Sequence, residues 1–215
     1  EVLTTIHAIR KAGGVSIPIP YRSTSEEALY LLGAADVEIL VIESRYVPVV
    51  EKISDQLPKL DHIITFGGVV AGHVGKPMGE ILGSSDTPIS EGDFIGTQNM
   101  IFTSGTTGKP KGAVRKVGGE ANQYGPLLEL LGWDQMESLI FLTTGPLYHS
   151  GPSGFALRSQ LVGATVVTQY AFDPEDWLRL VSTHDVSATF SAPTPIRRVT
   201  SLPEEIKAKY DVSSL

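Results

Sequence analysis

The 215-residue sequence contains no cysteine. Disulfide bonds and thiolate metal sites are therefore excluded, and a cytoplasmic location is the expectation for such a chain. No apolar run approaches the roughly 18–20 residues that span a bilayer, so no transmembrane segment is predicted. Positive charge is scarce as well, because 17 lysines and arginines stand against 24 acidic residues, a net charge of −7. This balance argues against a protein that binds nucleic acid through phosphate contacts.

Metal-ligand motifs such as H-E-x-x-H and internal repeats are also missing, so no metal site is predicted. The composition that remains is globular, with 41% hydrophobic and 19% charged residues. These values differ from those of disordered chains. The length is sufficient for one large domain or two small ones.

The hydrophobic pattern alternates between helix and strand, which predicts an α/β fold of layered, mostly parallel sheets with helices on both faces. Thr24 and Glu27 form a capping-box pattern, and Asp173 stands as the N-cap before Pro174. Residues 67–98 lack periodicity, apart from one possible helical turn at 78–82, and are interpreted as a surface excursion. The remaining predicted helices are 1–12, 24–36, 47–57, 120–131, 153–161, 174–182 and 193–201, and the predicted strands are 15–19, 37–42, 61–66, 113–115, 139–143, 164–169 and 187–191.

The most unusual run is residues 101–112, where apolar residues lead into a loop of glycines and hydroxyl side chains that ends with Lys109, Pro110 and Lys111. Backbone N–H groups, hydroxyls and lysines together suit a polyphosphate. The run is not a Walker P-loop, because Thr103 stands where its first glycine belongs and Pro110 replaces its final Ser or Thr. An ordinary surface hairpin is the alternative that composition alone leaves open.

Residues 103–112, TSGTTGKPKG, closely resemble the signature loop of the adenylate-forming superfamily, which includes acyl-CoA synthetases, luciferases and peptide-synthetase adenylation domains. The resemblance implies ATP binding, with this loop placed around the phosphates. Lys109 occupies a position that varies in the family and is a weaker candidate than Lys111. The implied phosphate-binding residues are Thr103, Ser104, Gly105, Thr106, Thr107, Gly108 and Lys111.

A second motif surrounds His149, between a predicted strand end and a helix start. Histidines in that position of open α/β sheets often face a ligand cleft, although packing in a turn is an equally good interpretation of the residues alone. Residues 146–151 resemble the family's Pro-Leu-[Phe/Tyr]-His-x-x-Gly motif. The resemblance implies that His149 shapes the acyl-substrate pocket. It is not expected to act as a general base, because a carboxylic acid is already ionised at neutral pH.

The resemblance covers nearly the whole sequence and implies a partial N-terminal AMP-binding domain at 1–215. Its sub-regions are expected at 1–98 and 99–215, the second containing the phosphate loop, with the C-terminal domain absent. The family's later segments for magnesium, for ribose and for the catalytic lysine do not occur in these residues. No catalytic residue is therefore assigned, and the chain alone is not expected to catalyse efficient adenylation.

The implied activity is that of an acid–CoA ligase that uses ATP, Mg²⁺ and coenzyme A to activate a carboxylic acid, expected to be a fatty acid, as its acyl-adenylate. The residues Ala113, Val114 and Arg115 after the loop are closer to fatty acyl-CoA synthetases than to peptide-synthetase domains. A nucleotide-binding or interaction module without catalysis is one alternative. Another branch of the family, such as an aryl-CoA ligase or a peptide-synthetase domain, is a second.

Overall fold

The computed structural model describes residues 1–68, 74–82, 98–103, 110–116 and 125–215, the side chains of 98 and 114–116 excepted. Helices and parallel strands alternate along these ranges, so the α/β class is confirmed. The chain divides into two compact units, Glu1–Gly118 and Gly119–Leu215. The proposed family sub-regions, which meet at residues 98 and 99, stay a prediction.

The first unit contains two three-stranded sheets within the part of the chain that the structure describes. Its helices are α1 (Val2–Lys11), α2 (Ser25–Ala34), α3 (Val47–Glu51) and α4 (Met78–Leu82). Its strands are β1 (Val15–Ser16), β2 (Ile39–Glu43), β3 (His62–Phe66), β4 (Lys76–Pro77), β5 (Gln98–Thr103) and β6 (Lys111–Lys116). One sheet has the order β2-β3-β4 and is parallel. In the other, β5 pairs parallel with β1 and antiparallel with β6.

Helix α2 begins at the predicted capping box. The Thr24 backbone N–H donates to the Glu27 carboxylate over 2.8 Å, and the Glu27 N–H donates to Thr24 Oγ1 over 3.3 Å. Two N–H groups without helical partners are satisfied in this way. The helix then buries Leu32 against Leu40 of β2 and Val50 of α3, which forms the core of this unit.

Two predictions in this unit need correction. The helix predicted at 47–57 ends at Glu51, and a 3₁₀ turn follows at Ser54–Gln56. Val47, Val50 and Ile53 are buried at a spacing of three residues, which matches a 3₁₀ turn better than a continuous α-helix. The interval 67–98 is not only a surface excursion, because β4 pairs with β3. The helical turn predicted at 78–82 is confirmed as α4.

The second unit is built on a parallel sheet of order β8-β7-β9. Its strands are β7 (Ile140–Thr143), β8 (Thr165–Thr168) and β9 (Ala188–Phe190). Its described helices are α5 (Gly125–Leu130), α6 (Ser150–Ser159), α7 (Pro174–His184), α8 (Pro193–Thr200) and α9 (Glu204–Lys207). Leu142 packs with Trp177 and Val181 of α7 and with Val186 in the core of this unit.

Helix α6 begins at Ser150, three residues before the predicted start. Pro152 is accommodated because the first turn of a helix has no N–H partner to lose. The four-residue helix α9 was not predicted. Residues 117–124 lie outside the described residues, and they include 120–124, the start of the helix predicted at 120–131. In the described ranges no helix is both long and apolar enough to cross a membrane.

Candidate functional site

The predicted phosphate loop begins and ends on the antiparallel strands β5 and β6. Thr103, the last residue of β5, is the register partner of Lys111, the first residue of β6. The Thr103 hydroxyl donates a 3.4 Å hydrogen bond to the Lys111 carbonyl oxygen, and both side chains are exposed. The structure therefore brings together the first and last predicted phosphate-binding residues. Ser104, Gly105, Thr106, Thr107 and Gly108 lie outside the described residues, as does Lys109.

Gly112 and Tyr30 support this end of the hairpin, and sequence reasoning assigned a role to neither. A Cβ atom at Gly112 would lie 2.7 Å from Met100 Sδ, so the position has room only for glycine while Met100 stays in place. The Tyr30 hydroxyl on α2 donates to the Pro110 carbonyl oxygen over 2.9 Å. It thus fixes the backbone directly before Lys111. The unbroken motif through Gly112 was the available signal for the glycine, whereas no local signal pointed to Tyr30.

In the second unit, His149 is the N-cap residue of α6. Its backbone N–H donates to the Pro146 carbonyl over 3.0 Å, which closes a turn after β7. Its carbonyl accepts hydrogen bonds from the Ser153 N–H at 3.2 Å and the Ser153 hydroxyl at 2.7 Å. These bonds hold the backbone, while the imidazole remains exposed beside the Tyr148 ring, 4.4 Å away between centroids.

His149 lines a cavity of about 430 Å³ at the end of β7 and β9. This volume lies in the lower part of the range for small-molecule sites. The surface is mostly hydrocarbon, and His149 is the one titratable side chain among those lining residues that the structure describes. The lining consists of Thr144, Gly145, Pro146, His149, Pro152, Phe172, Phe190, Ala192 and Pro195.

The Phe190 ring is held from two directions. It stacks on Phe155 of α6, with 4.4 Å between ring centroids and 13° between ring planes. The edge of the Phe190 ring lies over Gly151, where an added Cβ would come within 2.6 Å of Cε1. Stacked aromatic pairs contribute about 0.5–1.5 kcal/mol beyond their burial. This wall of the cavity is therefore fixed by packing, and sequence reasoning did not identify Phe190.

The Thr144 hydroxyl belongs to a buried chain of hydrogen bonds. It accepts from the Trp177 indole N–H over 3.0 Å and lies 3.0 Å from the Thr189 hydroxyl, which donates to the Leu142 carbonyl over 2.7 Å. Because the Thr189 proton is used for Leu142, the Thr144 proton goes to Thr189. Among the described lining residues, Thr144 is the only one with a hydroxyl, and the proton of that hydroxyl is donated within the protein.

No cluster of three or more acidic, histidine or cysteine side chains occurs in the ranges that the structure describes. Magnesium that is bound together with ATP needs only one or two protein carboxylates beside the phosphates, and no contact in the described ranges singles one out. None of the described residues is therefore assigned to Mg²⁺.

A family model described as AMP-binding enzyme matches residues 1–215. The 4-hydroxybutyrate–CoA ligase 2 of Metallosphaera sedula is 29% identical over 206 residues, which cover 90% of this chain and 37% of that protein. The indoleacetate–CoA ligase of Aromatoleum aromaticum is 26% identical over 228 residues, covering 100% of this chain and 42% of that protein. The chain thus spans about two fifths of the length of these curated relatives.

Among solved structures, the N-terminal domain of FACL13 from Mycobacterium tuberculosis superposes with a TM-score of 0.74. The match covers 98% of this chain and 51% of that one, at 21% sequence identity. At this identity the likeness establishes a shared fold. It assigns no substrate to the cavity beside His149.

Proposed function

The chain belongs to the AMP-binding enzyme family, and on that premise we propose that it forms part of an ATP-dependent carboxylic acid–CoA ligase. The observation that carries the proposal is the unbroken motif 103–112, in which Thr103 at the end of β5 is the register partner of Lys111 at the start of β6. The reaction has two halves. The acid's carboxylate attacks the α-phosphate of ATP, which gives acyl-adenylate and pyrophosphate, and the coenzyme A thiolate then displaces AMP.

In the first half, the loop from Thr103 to Gly108 donates hydrogen bonds to the phosphates while Lys111 neutralises part of their charge. Such preorganised donors stabilise negative charge that develops on the leaving group. The exposed Lys111 side chain beside Thr103 supports this role. Mg²⁺, when bound to ATP, supplies further charge neutralisation, and no described residue of this chain is assigned to hold it.

The acid's organic group occupies the cavity beside His149 in this proposal. The cavity's hydrocarbon lining supports an acid with an apolar group, such as a fatty acid. His149, at the N-cap of α6, orients the carboxylate as a hydrogen-bond donor and does not need to remove a proton. A chain without cysteines fits a reaction carried out in the cytoplasm.

The test is ATP–pyrophosphate exchange in a full-length enzyme that contains these residues, with a panel of acids. Lys111→Ala is expected to lower kcat/KM for ATP by roughly 10²–10³, the typical loss for a donor that stabilises charge in the transition state. Thr106→Ala should have a comparable effect. Lys109→Ala removes the same charge two residues away and is the matched control, with a much smaller loss expected.

Equal losses from the three substitutions would contradict the assignment of the phosphate-binding residues. Binding of Mg·ATP without exchange for any acid would instead favour a nucleotide-binding module without catalysis. Exchange that depends on an amino acid would indicate a peptide-synthetase branch. Exchange with a carboxylic acid followed by thioester formation with coenzyme A is the expected result.

A further inference from the structure

We infer that Phe190 sets the size limit for the organic group of the acid. This inference rests on the proposed function, because it concerns the acid that the proposed ligase activates. Its basis is the packing of the Phe190 ring against Phe155 and Gly151.

Phe190 is the last residue of β9, and its ring forms one wall of the cavity. Stacking on Phe155 restrains the face of the ring, and Gly151 accommodates its edge. Protein interiors are close-packed, so a ring held between two neighbours does not withdraw freely when a larger ligand enters. Phe190 consequently limits the room available to the acid on this side of the cavity.

Phe172 provides a second aromatic surface of the same cavity. The guanidinium of Arg198, on α8, lies 5.0 Å from the centre of the Phe172 ring and forms a cation–π contact with it. Within the described residues, the Phe172 ring has this cation in place of the stacked aromatic partner that Phe190 has. A smaller residue at 172 also enlarges the cavity, but it leaves the Phe155–Phe190 stack in place.

The experiment compares the full-length wild-type enzyme with its Phe190→Leu, Phe172→Leu and Phe141→Leu variants. Each is assayed for exchange with straight-chain acids of increasing length, and thermal melting confirms that each variant folds. Phe190→Leu should raise the kcat/KM ratio of long to short acids by about tenfold or more, the effect of one or a few methylenes in a pocket. Phe172→Leu should act in the same direction.

Phe141→Leu is the matched control because it makes the same chemical change on β7, at a side chain with 0% exposure that does not line the cavity. It should lower stability and leave the acid-length profile unaltered. A Phe190→Leu profile identical to that of the wild type would overturn the inference. A shift as large in Phe141→Leu as in Phe190→Leu would overturn it too, since the effect would then be general loosening.

Binding of the same acids, measured by saturation-transfer NMR, separates failure of the inference from failure of the proposed function. If no acid supports exchange, the ligase proposal fails, and the cavity inference is then judged on binding alone. Tighter binding of long acids to Phe190→Leu than to the wild type supports it. Absence of binding of any acid to the wild type, or equal affinities in both proteins, overturns it.

Discussion

At the scale of single residues, Gly151 and Phe190 illustrate how one contact decides whether a substitution stabilises or destabilises the protein. Alanine normally stabilises a helix by about 1 kcal/mol relative to glycine. At Gly151 the added Cβ would meet Phe190 Cε1 at 2.6 Å, and the ring is held by its stack on Phe155. Overpacking of this kind costs about 1–3 kcal/mol, so the clash outweighs the propensity.

Gly151→Ala is therefore expected to lower the free energy of unfolding, and Phe190→Leu to relieve that loss. The double mutant should be more stable than the sum of the single changes predicts, with a coupling of about 0.5–3 kcal/mol for residues in contact. Chemical denaturation of the four proteins measures the coupling. Additive effects within about 0.5 kcal/mol would contradict the contact as described.

The buried hydrogen-bond chain through Thr144 makes a second residue-scale prediction. Thr144 and Trp177 are 5% and 4% exposed, so Thr144→Val leaves the indole N–H buried without its acceptor. The expected cost is about 1–3 kcal/mol in unfolding free energy. Thr144→Ser keeps the hydroxyl and is the control. If the valine and serine variants melt alike, the hydrogen bond does not contribute as described.

At the scale of elements, α7 shows how side chains stabilise a helix start and make it sensitive to acid. Asp173 Oδ1 accepts the Asp176 N–H over 2.8 Å. The pKa of Asp176 lies below its ordinary value, chiefly because its carboxylate accepts a 2.9 Å hydrogen bond from Gln169, with Arg179 adding to the effect and burial opposing it. Folding therefore favours the deprotonated form of the Asp176 side chain over the protonated form.

A lowered folded-state pKa contributes stability that is present above the unfolded pKa of about 3.9 and disappears as pH falls through the folded value. Asp176→Asn should therefore be less stable than the wild type at pH 6, and the difference should shrink below about pH 4. The side chain is 38% exposed, so solvent screening limits the difference to about 1 kcal/mol or less. Denaturation curves from pH 3 to 7 test this. A difference that grows towards low pH would refute it.

Local signals predicted elements well where the signal and its partner lie close in sequence. The capping box at Thr24 and Glu27 and the N-cap at Asp173 are both present, because each needs only residues three positions apart. Elements set by tertiary contacts were missed. Strand β4 forms only because Lys76 and Pro77 meet β3, and α3 stops short where core spacing favours a 3₁₀ turn.

The same distinction applies to the candidate site. His149, Thr103 and Lys111 were identified from motifs that can be read along the chain. The register that pairs Thr103 with Lys111 required the structure. Phe190 required the structure, because its contacts with Gly151 and Phe155 depend on how β9 packs against α6. Tyr30 is a similar case, since α2 reaches Pro110 through a hydrogen bond between residues distant in sequence.

At the scale of the whole molecule, the residues of the proposed chemistry belong to both compact units. The phosphate motif lies in the unit Glu1–Gly118 and His149 in the unit Gly119–Leu215. The curated relatives are longer, since the matched part is 37% and 42% of the two described above. The family resemblance places the groups for magnesium, for ribose and for the catalytic lysine in segments whose motifs these residues lack.

The 215 residues expressed by themselves are therefore predicted not to catalyse efficient adenylation. Loss of a single charge-stabilising group typically costs about 10²–10³ in rate, and several are involved, so exchange should be at least about 10³-fold slower than in a complete relative. ATP–pyrophosphate exchange at saturating acid measures this, with circular dichroism to confirm folding and a complete relative assayed in parallel. An exchange rate near that of the relative would show that Thr103, Lys111, His149 and their neighbours suffice, and the assignment of charge stabilisation to the later segments would then be wrong.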